Sequence, residues 1–195
     1  MKYDLPENQG EVLPNLLKLT SSEEIALAEF DGFLKAEIML SERLTAKTKF
    51  NTKYILQIHR LSLEHLYSFA GKLRDVNISK GGFPFPAAKY LTHSMQLFDD
   101  ELLSQLPNKY LSREELIKSI ATVHGELLFI HPFREGNGRT ARILANLMAR
   151  KQGYDALSFE KINKENFDTY VKAIQKAAEK DYEPMTAFIA FIFPD

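Results

Sequence analysis

His131-Pro-Phe-Arg-Glu-Gly-Asn-Gly-Arg-Thr-Ala-Arg142 separates two apolar runs of helical period. Upstream, Ile117, Ile120, Val123, Leu127 and Leu128 recur at helical spacing, and downstream Ile143, Leu144, Leu147 and Met148 do the same. Pro132, Gly136 and Gly138 make the stretch between them a poor helix. It therefore predicts a tight loop feeding a new helix, with both glycines free to take positive φ. The peptide N–H groups of such a start have no intrahelical partners and lie at the positive end of the dipole, which makes an anion cradle. Arg139 and Arg142 put two permanent charges on one face of the new helix. Two planar guanidinium forks beside a backbone nest suit a polyphosphate better than a single carboxylate.

The same stretch offers a base and a metal ligand. His131 titrates near neutrality and can take a proton from a hydroxyl. Glu135 is a hard oxygen ligand, placed where Mg²⁺ could bridge nucleotide phosphates. Taken singly these signals are weak: most lone histidines are structural, arginine pairs on helices usually face solvent, and GxG alone is a turn. Their coincidence within one short stretch points to a nucleotide site.

His131 to Arg142 resembles the signature of the Fic family, HxFx[D/E]GNGRxxR, at every defined position. Tyr67-Ser-Phe-Ala-Gly-Lys-Leu-Arg74 resembles the family's Y-x-x-A-G-x-x-R segment. Val76-Asn-Ile-Ser-Lys-Gly-Gly-Phe-Pro-Phe85 resembles its flap, so the likeness runs from roughly Phe50 to Tyr182. The resemblance implies an all-α fold, a helical bundle around the central loop and helix, with a short β-hairpin flap. It also implies transfer of AMP from ATP to a Ser, Thr or Tyr hydroxyl of a target protein. On that pattern Gly136, Asn137, Gly138, Arg139 and Arg142 bind the nucleotide, Glu135 holds Mg²⁺, and His131 is the base. The flap residues Ile78, Ser79, Lys80, Gly81, Gly82 and Phe83 would take a target segment by strand addition. Lys80 at the tip could contact target or nucleotide, with a solvated lysine the preferred reading.

Two other readings stay open: a protein phosphotransferase of the Doc type, and a non-enzymatic nucleotide- or protein-binding module on the same fold. The Doc branch has Lys where this chain has Gly138 and uses ATP in a flipped orientation, so Gly138 argues for AMP transfer. An intact His131 beside Glu135 argues against a mere binding module. Many Fic proteins are restrained by a helix of pattern [S/T]xxxE[G/N], whose Glu pairs with the second motif arginine. Thr20 to Glu24 has the spacing but continues with Ile25, and Thr122 to Glu126 lies in the helix leading to the site. A separate antitoxin-like inhibitor chain is the preferred source of restraint, with a variant through Glu24 or Glu29, or no restraint, as the alternatives.

Composition is consistent with one domain. At 195 residues the chain can bury about 70% of its unfolded surface. A formal net charge of −1 supplies no basic field, so general nucleic-acid binding is not expected. Without cysteine there is neither a disulfide framework nor a thiolate zinc site. The first residues lack an apolar signal core and no apolar run reaches membrane-spanning length, so a cytoplasmic protein is expected. A homo-oligomer is left open.

In order, residues 1–19 read as a mostly irregular arm. Ser21 to Glu24 opens a helix through about Glu42, with Ile25, Ala28, Phe33, Ala36 and Leu40 inward. Gly32 inside it costs roughly 1 kcal/mol relative to Ala and marks close packing. Further helices are expected over Thr52–Phe69, Ala87–Gln105, Arg113–Phe129, about Asn163–Lys180 and Met185–Phe193. The single domain thus divides into an arm and first helix (1–49), a core (50–182) with the flap at about 74–86 and the motif at 131–142, and a C-terminal helix (183–195). The last of these is apolar nearly all round and is expected to dock. His59, His65, His93 and His124 lack metal-ligand spacing and are read as structural or surface residues.

Overall fold

A computed structural model describes residues 12–80 and 82–194; residues 1–11 of the expected arm, Gly81 of the flap and Asp195 lie outside the described residues. Among the described residues, seven α-helices and one small hairpin make up the regular structure, apart from short 3-10 turns. Helix α1 (Ser22–Glu42) starts where its cap predicts: the Ser21 side chain accepts from Glu23 N at 3.2 Å. Its inner face carries Ile25, Gly32, Phe33, Ala36 and Leu40 as the spacing requires, but also the carboxylate of Glu29. Gly32 does mark a close approach. A Cβ there would lie 2.0 Å from the main-chain carbonyl Ser62 O, so α1 meets α2 (Thr52–Leu63) backbone against backbone.

Helix α2 stops short of the expected Phe69. Leu66 N and Tyr67 N both bond to Leu63 O (2.9 and 2.8 Å), and the chain proceeds in turns that bury Leu66 and Tyr67. The gain is tertiary: the turn lets the Tyr67 hydroxyl reach Glu29 on α1 (2.7 Å). The hairpin pairs β1 (Ser79–Lys80) with β2 (Phe83–Pro84) antiparallel, Ser79 opposite Pro84 and Lys80 opposite Phe83. Pro84 cannot donate to a ladder, and the second strand is as short as that predicts.

Helix α3 (Leu91–Glu101) follows between two 3-10 turns. Helix α4 (Arg113–Ile130) is capped by Ser112, whose Oγ accepts from Glu115 N (3.2 Å), and is buried on almost every side. It packs against α3, α5 (Asn137–Lys151), α6 (Phe167–Ala177) and α7 (Glu183–Ile192), while α1 packs on α2 and α5. Helix α6 begins later than expected, because Asn163 Oδ1 accepts from Glu165 N (2.9 Å) and caps a turn of its own first. Helix α7 buries Met185, Phe188, Ile189 and Ile192 against the body, as its apolar sequence anticipated. Burial of each such side chain is worth about 1.5–3 kcal/mol. No helix among the described residues is long and apolar enough to cross a membrane.

Candidate active site

The α4–α5 junction sets the geometry. Helix α4 ends at His131 in the left-handed region (φ 51, ψ 58), its N–H still bonded to Leu127 O at 3.0 Å. A residue with a side chain pays for that conformation, and three contacts hold it there. His131 Nδ1 lies 2.7 Å from Leu128 O, its backbone carbonyl accepts from Arg74 Nε (2.9 Å), and its ring stacks on Phe85 at 3.8 Å. A carbonyl only accepts, so Nδ1 carries the proton and the lone pair sits on Nε2. Burial lowers the pKa of His131 to about 3; Lys80 and Arg74 push the same way and the bond to Leu128 opposes them. The ring is therefore neutral at neutral pH.

Arg74 is buried and donates to main-chain carbonyls. Besides His131 O, it donates to Val76 O and Pro86 O, each at 2.6 Å, and its own N–H bonds to Pro132 O at 2.9 Å. One guanidinium thus ties the motif loop to both ends of the flap. In the sequence this residue is only the end of the Tyr67–Arg74 segment, with no local signal of that role.

The loop is braced from beneath. Asn137 Oδ1 accepts from Phe133 N (2.8 Å) and its Nδ2 donates to Phe133 O (2.7 Å). Both bonds let the Asn137 amide hold the loop against the start of α5. Phe133 is fully buried, as expected of an anchor, and stacks on His59 at 3.8 Å. His59 accepts from Gly71 N (2.8 Å) at Nδ1 and reaches Glu135 O (3.0 Å) with Nε2, so it is structural as expected.

Gly136 takes φ 78, and a Cβ there would lie 2.9 Å from Phe33 Cζ. The expectation of positive φ at Gly138 does not hold, because Gly138 already belongs to the first turn of α5, and a Cβ there would meet nothing within 4 Å. The first intrahelical bond, Thr140 N to Gly136 O (2.9 Å), leaves the N–H groups of Gly138 and Arg139 ahead of it at the positive helix end.

A cavity of about 150 Å³ opens here between the flap and α6. His131, Gly138 and Arg142 line it, together with Lys80 and Phe83 from the hairpin and Tyr170 from α6. Lys80, expected in solvent, is instead half-buried and faces this space; burial lowers its pKa, Glu135 pulls it up and Arg142 presses it down. The two motif arginines do not act on one face. Arg139 turns to α1, where Nη2 lies 2.8 Å from Glu29 Oε2 and 3.5 Å from Glu135 Oε1, with the guanidinium over Phe33. Arg142 turns the other way, over Phe159. Three residues of helix leave side chains that long free to splay toward different neighbours, and the neighbours decide.

Glu135 is mostly buried, which raises its pKa, while its bond from Gly136 N (2.8 Å) lowers it; Glu29 raises it and Arg139 and Lys80 lower it. Among the described residues no three His, Asp or Glu side chains gather as a metal cage. Of the candidate restraining carboxylates, Glu24 is exposed and Glu126 is engaged by the Tyr182 hydroxyl and by Lys180 (3.1 Å). Glu29 alone of the three touches a motif residue, and it is the first arginine rather than the second.

The Fic/DOC family model matches residues 49–149, just over half of the chain. A protein of Drosophila willistoni named protein adenylyltransferase Fic is 33% identical over 152 residues, which is 77% of this chain and 29% of that protein. The protein of the same name from Aedes aegypti is 33% identical over 164 residues, 83% of this chain and 32% of that one. The chain therefore spans about three-tenths of the length of these curated relatives. Among solved structures, BepC of Bartonella tribocorum with bound AMPPNP matches with a TM-score of 0.76 over 96% of each chain, at 20% identity. That likeness is one of fold.

Proposed function

The chain belongs to the Fic/DOC family, and from that premise we propose that it transfers AMP from ATP to a hydroxyl group of a protein. The observation that carries this reading is the His131 ring, neutral and fixed in one tautomer, at the wall of a cavity that Arg142, Lys80 and the start of α5 make electropositive. In the step, the target hydroxyl oxygen bonds to the α-phosphorus and its proton passes to His131 Nε2. The bond from the α-phosphorus to the oxygen shared with the β-phosphate breaks, and pyrophosphate leaves. The Gly138 and Arg139 amides and the Arg142 guanidinium take up the phosphate charge.

Glu135, a mostly buried hard oxygen ligand at the start of α5, would hold a magnesium ion of the kind bound through one carboxylate and substrate phosphates. When bound, the ion would neutralise phosphate charge. The hairpin, braced by Arg74 and stacked on His131 through Phe85, would receive the target segment along a strand edge. Glu29 supports a restraint carried within the chain, because it pairs with the guanidinium of Arg139, one of the residues expected to bind the nucleotide.

The test is labelling. Incubation with ATP labelled at the α-position should mark this protein or a protein in a lysate, and His131→Ala should cut that label by at least about 100-fold while ATP binding survives. Transfer of a γ-label would establish the Doc-type phosphotransferase in its place, and ATP binding with no label from either position would leave the binding module.

A further inference from the structure

We propose that Tyr170 and His124, neither of them in the motif, are positioning residues that aim Arg142 into the cavity. His124 is fully enclosed, with Nδ1 3.3 Å from Ala141 O and Nε2 2.8 Å from the Tyr170 hydroxyl. Because Ala141 O can only accept, Nδ1 carries the proton, Nε2 is the acceptor, and the phenol spends its single hydrogen on it. The phenol oxygen is left with lone pairs only, and the group beside it is the Arg142 guanidinium, whose charge eases the ionisation that burial of the phenol resists. Phe159 backs the cluster, its ring 5.5 Å from the guanidinium and 5.6 Å from the His124 ring. Arg142 Nε is buried and has no hydrogen-bond partner among the described residues, and the residue lines the same cavity as Tyr170. His124 also holds the main chain next to the arginine, through the carbonyl of Ala141 directly before it.

This inference rests on Arg142 binding the outer phosphates of ATP. Calorimetric titration of ATP and of AMP, which lacks those phosphates, separates the two claims. Tyr170→Phe should weaken ATP binding by about tenfold, the worth of a hydrogen bond to a charged group, and change AMP binding by less than about twofold. His124→Leu, which keeps the phenol but removes what orients it, should shift the ATP-to-AMP ratio in the same direction, and thermal melts identify which variants are folded. In an Arg142→Ala background, Tyr170→Phe should add nothing to the loss. An unchanged ratio in the folded variants, or full additivity with Arg142→Ala, overturns the positioning role while the phosphate role stands. If Arg142→Ala itself leaves ATP binding intact, the phosphate role falls and takes this inference with it.

Discussion

Glu29 occupies the inward stripe of α1, where the spacing calls for an apolar side chain, and only 8% of the residue is exposed. A carboxylate in that place must be paired, and both oxygens are: Oε1 by the Tyr67 hydroxyl at 2.7 Å and Oε2 by Arg139 at 2.8 Å. Arg139 is thus charge-balanced by Glu29 and Glu135 before any nucleotide arrives. Glu29→Gln keeps an acceptor for Tyr67 but removes the charge that holds the guanidinium. The expected outcome is a rise in the rate of AMP labelling of at least about fivefold, the usual lower range for a regulatory coupling. A rate that stays level or drops, in a variant that melts like the parent, would make Glu29 a structural ion pair and nothing more. The sequence offers Glu29 only as one of two variant restraints, and which partners it takes is decided by other elements.

Two glycines at the start of α5 invite opposite outcomes. Gly136 sits at φ 78 with Phe33 2.9 Å from the position of a Cβ, so Gly136→Ala incurs both left-handed strain and overpacking. Together these should cost about 2–4 kcal/mol. Gly138 is helical with open space beside it, and alanine there should be neutral or stabilising by up to about 1 kcal/mol. Because Gly138 lines the cavity, the added methyl should nonetheless weaken ATP binding. Urea unfolding of both variants with an ATP titration of the second checks the pair, and equal losses of stability would contradict it. Helix starts marked by local caps, such as Ser21 and Ser112, were legible because the cap is a contact between near neighbours in sequence. The end of α2 was not, because the pull of Tyr67 toward Glu29 is a contact across 38 residues.

Across the whole molecule, three buried histidines brace the junction and its surroundings, and all are held neutral. Burial lowers His131 and His124 to about 3 and His59 to about 4. The unfolded chain takes up protons at these residues below a pH of about 6.5, while the native state refuses them. Stability should therefore rise with pH through this window and be lost as pH falls from about 6.5 toward 4, each histidine contributing up to about 1.4 kcal/mol per pH unit. Urea denaturation at pH 7.5, 6 and 5 measures it. The drop from 6 to 5 should exceed the drop from 7.5 to 6, and a level profile down to pH 5 would show that these rings are protonated in the native state.

By itself the sequence determined the helical class, the hairpin between helices, and the loop and helix start that carry His131, Glu135 and Gly136. Those features follow from periodicity, caps and glycine placement, each expressed within a few neighbouring residues. Only the tertiary structure decided that Arg139 leaves the cavity for Glu29, 110 positions away, that Arg74 reaches across 57 positions to His131, and that His124 meets Tyr170 across 46. It also turned Lys80 inward beneath the flap. Long charged side chains have enough rotamer freedom to answer whichever partner the packed elements bring near, and that choice has no local signature in the chain.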